Sequence, residues 1–164
     1  MNTATPILIR PLRADEAPAL RALFHAAVHG LACRDYTPDQ LNAWAPLAHD
    51  AAQWAARLQA NQPWVAEVAG SAAGFADLQP SGYIDQFFVA PAHAGQGVGQ
   101  ALMAHLHTQA AQRGTPRLWA DVSLTAEPFF ARHGFAVEAR QQVERHGMVL
   151  RNTHMAKLLV GNCS

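Results

Sequence analysis

The chain has 164 residues, of which 50% are hydrophobic and 15% charged, with 12 Lys plus Arg against 12 Asp plus Glu. That is enough for one folded domain with a real core, expected over 1–164, and the composition is that of a globular chain. Charge balance offers no basic excess for nucleic acid, and no apolar run reaches the roughly 18 residues of a membrane span. The first residues lack the apolar centre of a secretory signal, and two cysteines, Cys33 and Cys163, make no disulfide framework. A cytoplasmic protein without membrane or nucleic-acid partners is the expectation.

In chain order, Ile7 to Leu12 is a short β-like run. Asp15 and Glu16 open a helix to about His29, with Leu20, Leu23, Phe24 and Val28 inward. His25 and His29 are one turn apart, a spacing that can hold a metal, but no carboxylate or cysteine is placed to complete a site. They read as surface or cleft histidines, and no metal is expected. Thr37 caps a short helix with Pro38 in its first position, and a further helix runs from about Asp50 to Gln59 with Trp54 and Leu58 on one face. Trp64 to Val68 and Ala72 to Leu78 read as strands joined at Gly70-Ser71. Gly82 turns the chain into a strand from Tyr83 to Val89, which Ala90-Pro91 ends. Val98, Leu102, Leu106 and Ala110 then recur at every fourth position of a helix that Gly114 stops. Leu118 to Val122 is another strand. Thr125 caps a short helix with Glu127 and Pro128 in its first turn, ending at His133-Gly134. Phe135 to Glu144 and Met148 to Leu159 read as an antiparallel hairpin about His146-Gly147. The order β, αα, β, β, β, α, β, α, β, β is α/β with mixed pairing.

Chemistry concentrates in the strand–turn–helix unit around Gly95-Gln96-Gly97-Val98-Gly99. Glycines let a ligand approach the main chain closely, and the first N–H groups of a helix lack internal partners. With the helix dipole added, such a turn suits a phosphate or pyrophosphate. No lysine follows the glycines, so a nucleotide-triphosphate loop is excluded. Gln100 stands where a dinucleotide-binding fingerprint has its third glycine. The bland alternative is a tight connection.

The stretch VAPAHAGQGVGQALM resembles the acyl-CoA pyrophosphate loop of the GCN5-related N-acetyltransferases (GNAT superfamily). Its positions are Ala94, Gly95, Gln96, Gly97, Val98 and Gly99, with Ala94 where that family usually has arginine or glutamine. SLTAEPFFARHGF resembles a second family segment, in which Ser123 takes the place of a cofactor-binding asparagine and Phe130 that of a tyrosine often used as general acid. YTPDQLNAW, GYIDQFFV and TAEPFFARHGF are similar to a YafP-like bacterial subgroup. The resemblance implies a mixed, mostly antiparallel twisted sheet of about seven strands with about four helices. It implies acetyl transfer from acetyl-CoA directly to a primary amine of a small molecule or peptide, and a possible homodimer. It places the cofactor along Phe87, Phe88 and Val89, on a strand that splays from its neighbour, then along Ala94 to Gly99, Gln100, Ser123, Phe129 and Phe130. The carbonyl-polarising N–H would lie near Phe88 and Val89.

A base or a water must take a proton from the amine, and the leaving thiolate can be helped by an acid. Asp85 is the first candidate for base or substrate ligand, and it shares Phe87's face if the strand alternates; a structural hydrogen-bonding role is the alternative. Tyr83 falls on the same side. Phe130 cannot donate, so either Tyr36 or a water is the acid, or the thiolate leaves without one. His29, Tyr36, Trp44, Tyr83, Asp85 and Glu144 are expected to line the acceptor cleft, with His25 nearby; Glu144 and His146 are further candidates for the base, and Asp121 is expected to cap. Cys33 is read as an inert buried thiol. The alternatives are a non-catalytic CoA-binding sensor or regulatory module, motivated by Ala94 and Phe130, and an interaction domain without cofactor.

Overall fold

Two antiparallel sheets carry the chain, and the line where they part positions everything else. The computed structural model describes residues 5–159, so Cys163 lies outside the described residues. The first sheet has the order β1 (Ile7–Pro11), β2 (Trp64–Val68), β3 (Ser71–Ala76) and β4 (Phe87–Val89). The second has the order β5 (Arg117–Ser123), β7 (Met148–Leu158) and β6 (Ala136–Arg145). Five α-helices accompany them among the described residues, one more than the four expected: α1 (Ala17–Leu31), α2 (Pro38–Trp44), α3 (Ala51–Asn61), α4 (Val98–Arg113) and α5 (Glu127–Arg132).

Local chemistry explains most boundaries. Thr37 and Gln40 form a reciprocal capping box at α2, and the Asp50 carboxylate caps α3 by accepting the Gln53 N–H at 3.1 Å. Alternation puts Val65 and Phe75 in the core beneath α1 and α3, and Ala66 and Ala76 in the core against α4. The expected α4 stripe is buried there, Val98, Leu102, Leu106 and Ala110 all being at most 1% exposed. His146 and Gly147, both with positive φ, make the two-residue turn between β6 and β7.

Three expectations need correction. The strand expected from Tyr83 forms its ladder with β3 only from Phe87, because the buried Asp77 carboxylate accepts the Asp85 and Gln86 N–H groups at 2.9 and 2.8 Å. Thr125 does not cap α5; its hydroxyl donates to Asp35, and it is Ser123 Oγ that accepts the Ala126 N–H at 3.0 Å. Cys33 is exposed rather than buried, since it lies just past the end of α1.

Among the described residues a single parallel bridge, Tyr83 to Trp119, links the two sheets. Ile84 donates its N–H to the Trp119 carbonyl and Trp119 returns one to Gly82, at 2.9 and 3.0 Å. Gly82 permits this crossing: its φ is +90°, and a Cβ there would sit 1.9 Å from the Arg117 carbonyl oxygen. Beyond that crossing β4 and β5 form no ladder and diverge.

Candidate active site

Two cavities fill the divergence. One, of ≈ 500 Å³, runs between α1, β4, the N-terminus of α4 and α5. The other, of ≈ 510 Å³, is walled by α1 to α3, the 83–86 segment and the far end of the second sheet. Trp44, Phe88 and Ser123 line both, so the cavities meet where β4 leaves β5.

The first cavity gathers most of the residues expected to hold the cofactor. Phe87, Phe88, Val89, Ala94, Gly95, Gly97, Val98, Gly99, Gln100, Ser123, Phe129 and Phe130 line it. Gln96 does not; its side chain turns out to His93 and the Ala92 carbonyl. Gly97 is the left-handed N-cap of α4 with φ 86°, and the first intrahelical bond there is Ala101 N–H to the Gly97 carbonyl. The amides of Val98, Gly99 and Gln100 therefore have no partner within the helix. The β4 main chain adds donors. Gln86 and Ala90 bond to β3 through the Asp77 N–H and the Ala73 carbonyl. By alternation, Phe87 and Val89 turn their N–H and C=O groups to the opposite edge, toward the gap. A pantetheine amide needs such an edge and a pyrophosphate needs such a helix end, so these residues fit coenzyme A. Arg132 on α5 lines the same cavity and supplies a positive charge that Ala94 does not.

The second cavity brings together Tyr36, Trp44, Tyr83 and Asp85 from the expected acceptor cleft. His29 and Glu144 are not among its lining. His29 Nε2 bonds the Ala45 carbonyl at 2.9 Å and its ring stacks on His25, while Glu144 is exposed on β6 between two lining residues, Val143 and Arg145. His146 does line it, with Nδ1 on the Ala43 carbonyl at 2.6 Å. Asp121 also lines it; rather than capping, it bonds Gln141 and His154 across the sheet.

Asp85 does not share a setting with Phe87, because the 83–86 segment is not a strand. Phe87 packs on Phe129 and Phe130. The Asp85 carboxylate meets α3: Arg57 donates to both oxygens at 3.0 Å, Asn61 to Oδ2 at 2.7 Å, and the Tyr83 hydroxyl stands 3.4 Å from Oδ1. A carboxylate so occupied holds its three neighbours in place. Burial, then Asp85, pushes the Tyr83 phenol up to about 12. The Tyr36 hydroxyl donates to the Arg151 carbonyl at 2.6 Å and accepts the Leu124 N–H at 3.0 Å, and burial raises its pKa. Both of its bonds are to main chain, so Tyr36 ties the segment before α2 to the second sheet. Phe130 is 2% exposed, among Phe87, Phe129 and Phe135.

Sequence reasoning missed Arg21, Arg57, Asn61 and Asn152. Arg57 and Asn61, one helical turn apart on α3, carried a signal, though their common target lies in a distant segment. Arg21 stands in the apolar stripe of α1, a placement that asks for an explanation.

Residues 32–159 match the family model described as an acetyltransferase (GNAT) domain. The chain is 35% identical over 149 residues to the uncharacterised N-acetyltransferase YafP of Escherichia coli strain K12, covering 91% of this chain and 94% of that one. A GCN5-related N-acetyltransferase from Rhodopseudomonas palustris superposes with a TM-score of 0.90 at 36% identity, over 97% of this chain and 99% of that one. YncA of Salmonella typhimurium, a putative acetyltransferase solved with acetyl-CoA, superposes at 0.69 and 20% identity over 98% of each chain, a likeness of fold.

Proposed function

The chain belongs to the GNAT acetyltransferases, and from that premise we propose that it transfers an acetyl group from acetyl-CoA directly to a primary amine held in the second cavity. The observation that carries the reading is the meeting of the two cavities at Phe88, Trp44 and Ser123, one cavity headed by the free amides of α4 and the other open to an acceptor. YncA, bound to acetyl-CoA on the same fold, supports the choice of donor.

Acetyl-CoA supplies the acyl group as a thioester. The amides of Val98, Gly99 and Gln100 neutralise pyrophosphate charge, and the free edge of β4 pairs with the pantetheine arm. The acceptor nitrogen attacks the thioester carbonyl carbon. A C–N bond forms, the C–S bond breaks, and the sulfur keeps the bonding pair. The Val89 N–H, aimed into the gap, is the donor for the carbonyl oxygen as it gains charge. The proton lost by nitrogen leaves through water in the open second cavity. A thiol pKa near that of free cysteine, roughly 8.5, lets the sulfur depart as thiolate without an acid. Asp85 serves as a positioning residue that fixes Arg57 and Tyr83 in the acceptor wall. Most of the acceleration then comes from juxtaposition, which can supply about 7–11 kcal/mol.

Phe130 favours one other reading, a CoA-binding sensor without turnover. Two measurements separate them. Calorimetric titration with acetyl-CoA is expected to give micromolar binding in the native protein and none in Gly97→Glu, which sets a carboxylate against the pyrophosphate. CoA thiol release is then followed over a panel of amines. Binding without release across that panel selects the sensor, and no binding by the native protein removes both.

A further inference from the structure

Arg21 is 6% exposed, lines the second cavity, and has no carboxylate partner among the described residues. Its guanidinium lies 5.1 Å from the Phe24 ring centroid and 5.6 Å from that of Trp54. Of its five N–H groups, one bond is made, from Nη2 to the Pro46 carbonyl at 2.5 Å. A buried cation left with unused donors costs free energy that an arriving anion would return. Burial accordingly pulls its pKa below the ordinary arginine value.

The rest of the wall has the same bias. Arg57, Arg145 and Arg151 also line the cavity, and of these only Arg57 is paired with a carboxylate among the described residues. The lining carboxylates are engaged: Asp50 caps α3, Asp85 holds Arg57, and Asp121 holds His154. At the other end, Asn152 stands across the ladder from Ser123, and its Oδ1 is buried with no partner. The cavity thus has an acceptor atom beside the junction and a cationic, aromatic-walled seat one ring beyond it, since Phe24 touches Phe88 edge-on at 4.9 Å.

We infer that the acceptor is an amine that also carries a carboxylate, the two about one ring's length apart as in an aromatic ω-amino acid, with the carboxylate on Arg21 and the amine between Asn152 and Ser123. The inference rests on the acetyl-transfer reading for the fate of the amine, but the carboxylate seat stands without it. A planar guanidinium presents parallel N–H groups to a carboxylate. The surplus of arginine also favours the uncharged amine over ammonium, which the attack requires.

The test uses the full-length chain and has two arms. In the first, without acetyl-CoA, 4-(acetamidomethyl)benzoate and its methyl ester are titrated by calorimetry. The acid is expected to bind at least tenfold more tightly, and Arg21→Met to abolish the difference. Equal binding of acid and ester, or of neither, overturns the inference. In the second, CoA release is measured with 4-(aminomethyl)benzoate against benzylamine and 4-(2-aminoethyl)benzoate against phenethylamine. The carboxylate-bearing member is expected to have at least a tenfold higher kcat/KM, a ratio that falls toward one in Arg21→Met. A preference for the decarboxylated amines overturns the inference while leaving acetyl transfer standing. Loss of acetyl-CoA binding by the native protein defeats acetyl transfer while the first arm still decides the seat. Should Arg21→Met not fold, Arg21→Lys and the native acid–ester comparison decide.

Discussion

Tyr36 lines the second cavity with its hydroxyl already engaged. Its type and place near the cleft were readable, but both bonds of its hydroxyl go to main chain, at Arg151 and Leu124. Tyr36→Phe strands a buried carbonyl and a buried N–H, and is expected to cost about 1–3 kcal/mol in urea unfolding. The pH profile of kcat should stay as in the native enzyme; loss of an ionisation from that profile would restore Tyr36 as the proton donor. Asp85 was legible as an odd carboxylate among apolar neighbours, and illegible as the partner of Arg57 and Asn61, 28 and 24 positions away. Asp85→Asn leaves Arg57 half-held, so KM for the acceptor is expected to rise roughly tenfold with kcat little altered, by steady-state kinetics with saturating acetyl-CoA.

Elements follow the sequence closely where their signals are local. The capping box at Thr37, the α4 stripe and the turn at His146-Gly147 all form as their residues dictate. Shortening of β4 does not follow from its own residues, because the cause is Asp77, a side chain from the end of β3. Burial pushes the Asp77 carboxyl up to about 6 from 3.8, against its bonds to Gln79 and the two amides. The folded chain therefore holds that proton more tightly than the unfolded one. Its contribution to stability is full below about pH 4 and is lost as the pH rises through about 6. Subtracting the Asp77→Asn stability curve from the native one should expose a fall of on the order of 2–3 kcal/mol across that window; a flat difference would refute it. At α4, a Cβ on Gly99 would meet Phe129 at 3.2 Å and Val89 at 3.6 Å. Gly99→Val therefore fills the first cavity at its narrow end, and acetyl-CoA affinity by calorimetry should drop at least about tenfold with the fold retained.

For the molecule as a whole, two sheets joined at one bridge leave a wedge that a ligand can span. A donor contacting β4, α4 and α5 stabilises only the folded state. Saturation at about 100 times Kd adds about 2.7 kcal/mol, a rise in Tm of roughly 5–10 °C, which thermal unfolding with and without acetyl-CoA will show. No helix among the described residues is long and apolar enough to cross a membrane, and no group of three or more His, Cys, Asp or Glu there could hold a metal ion. All but one helix of the element order, the glycine turn and the family were determined by the sequence alone, because periodicity, capping and glycine conformation act over a few neighbouring residues. Only the tertiary structure decided that β4 and β5 part after Tyr83, that two cavities meet at Phe88, and that Arg21 is buried without a counter-charge. Those facts depend on which distant side chains reach the same space, and no local pattern encodes that.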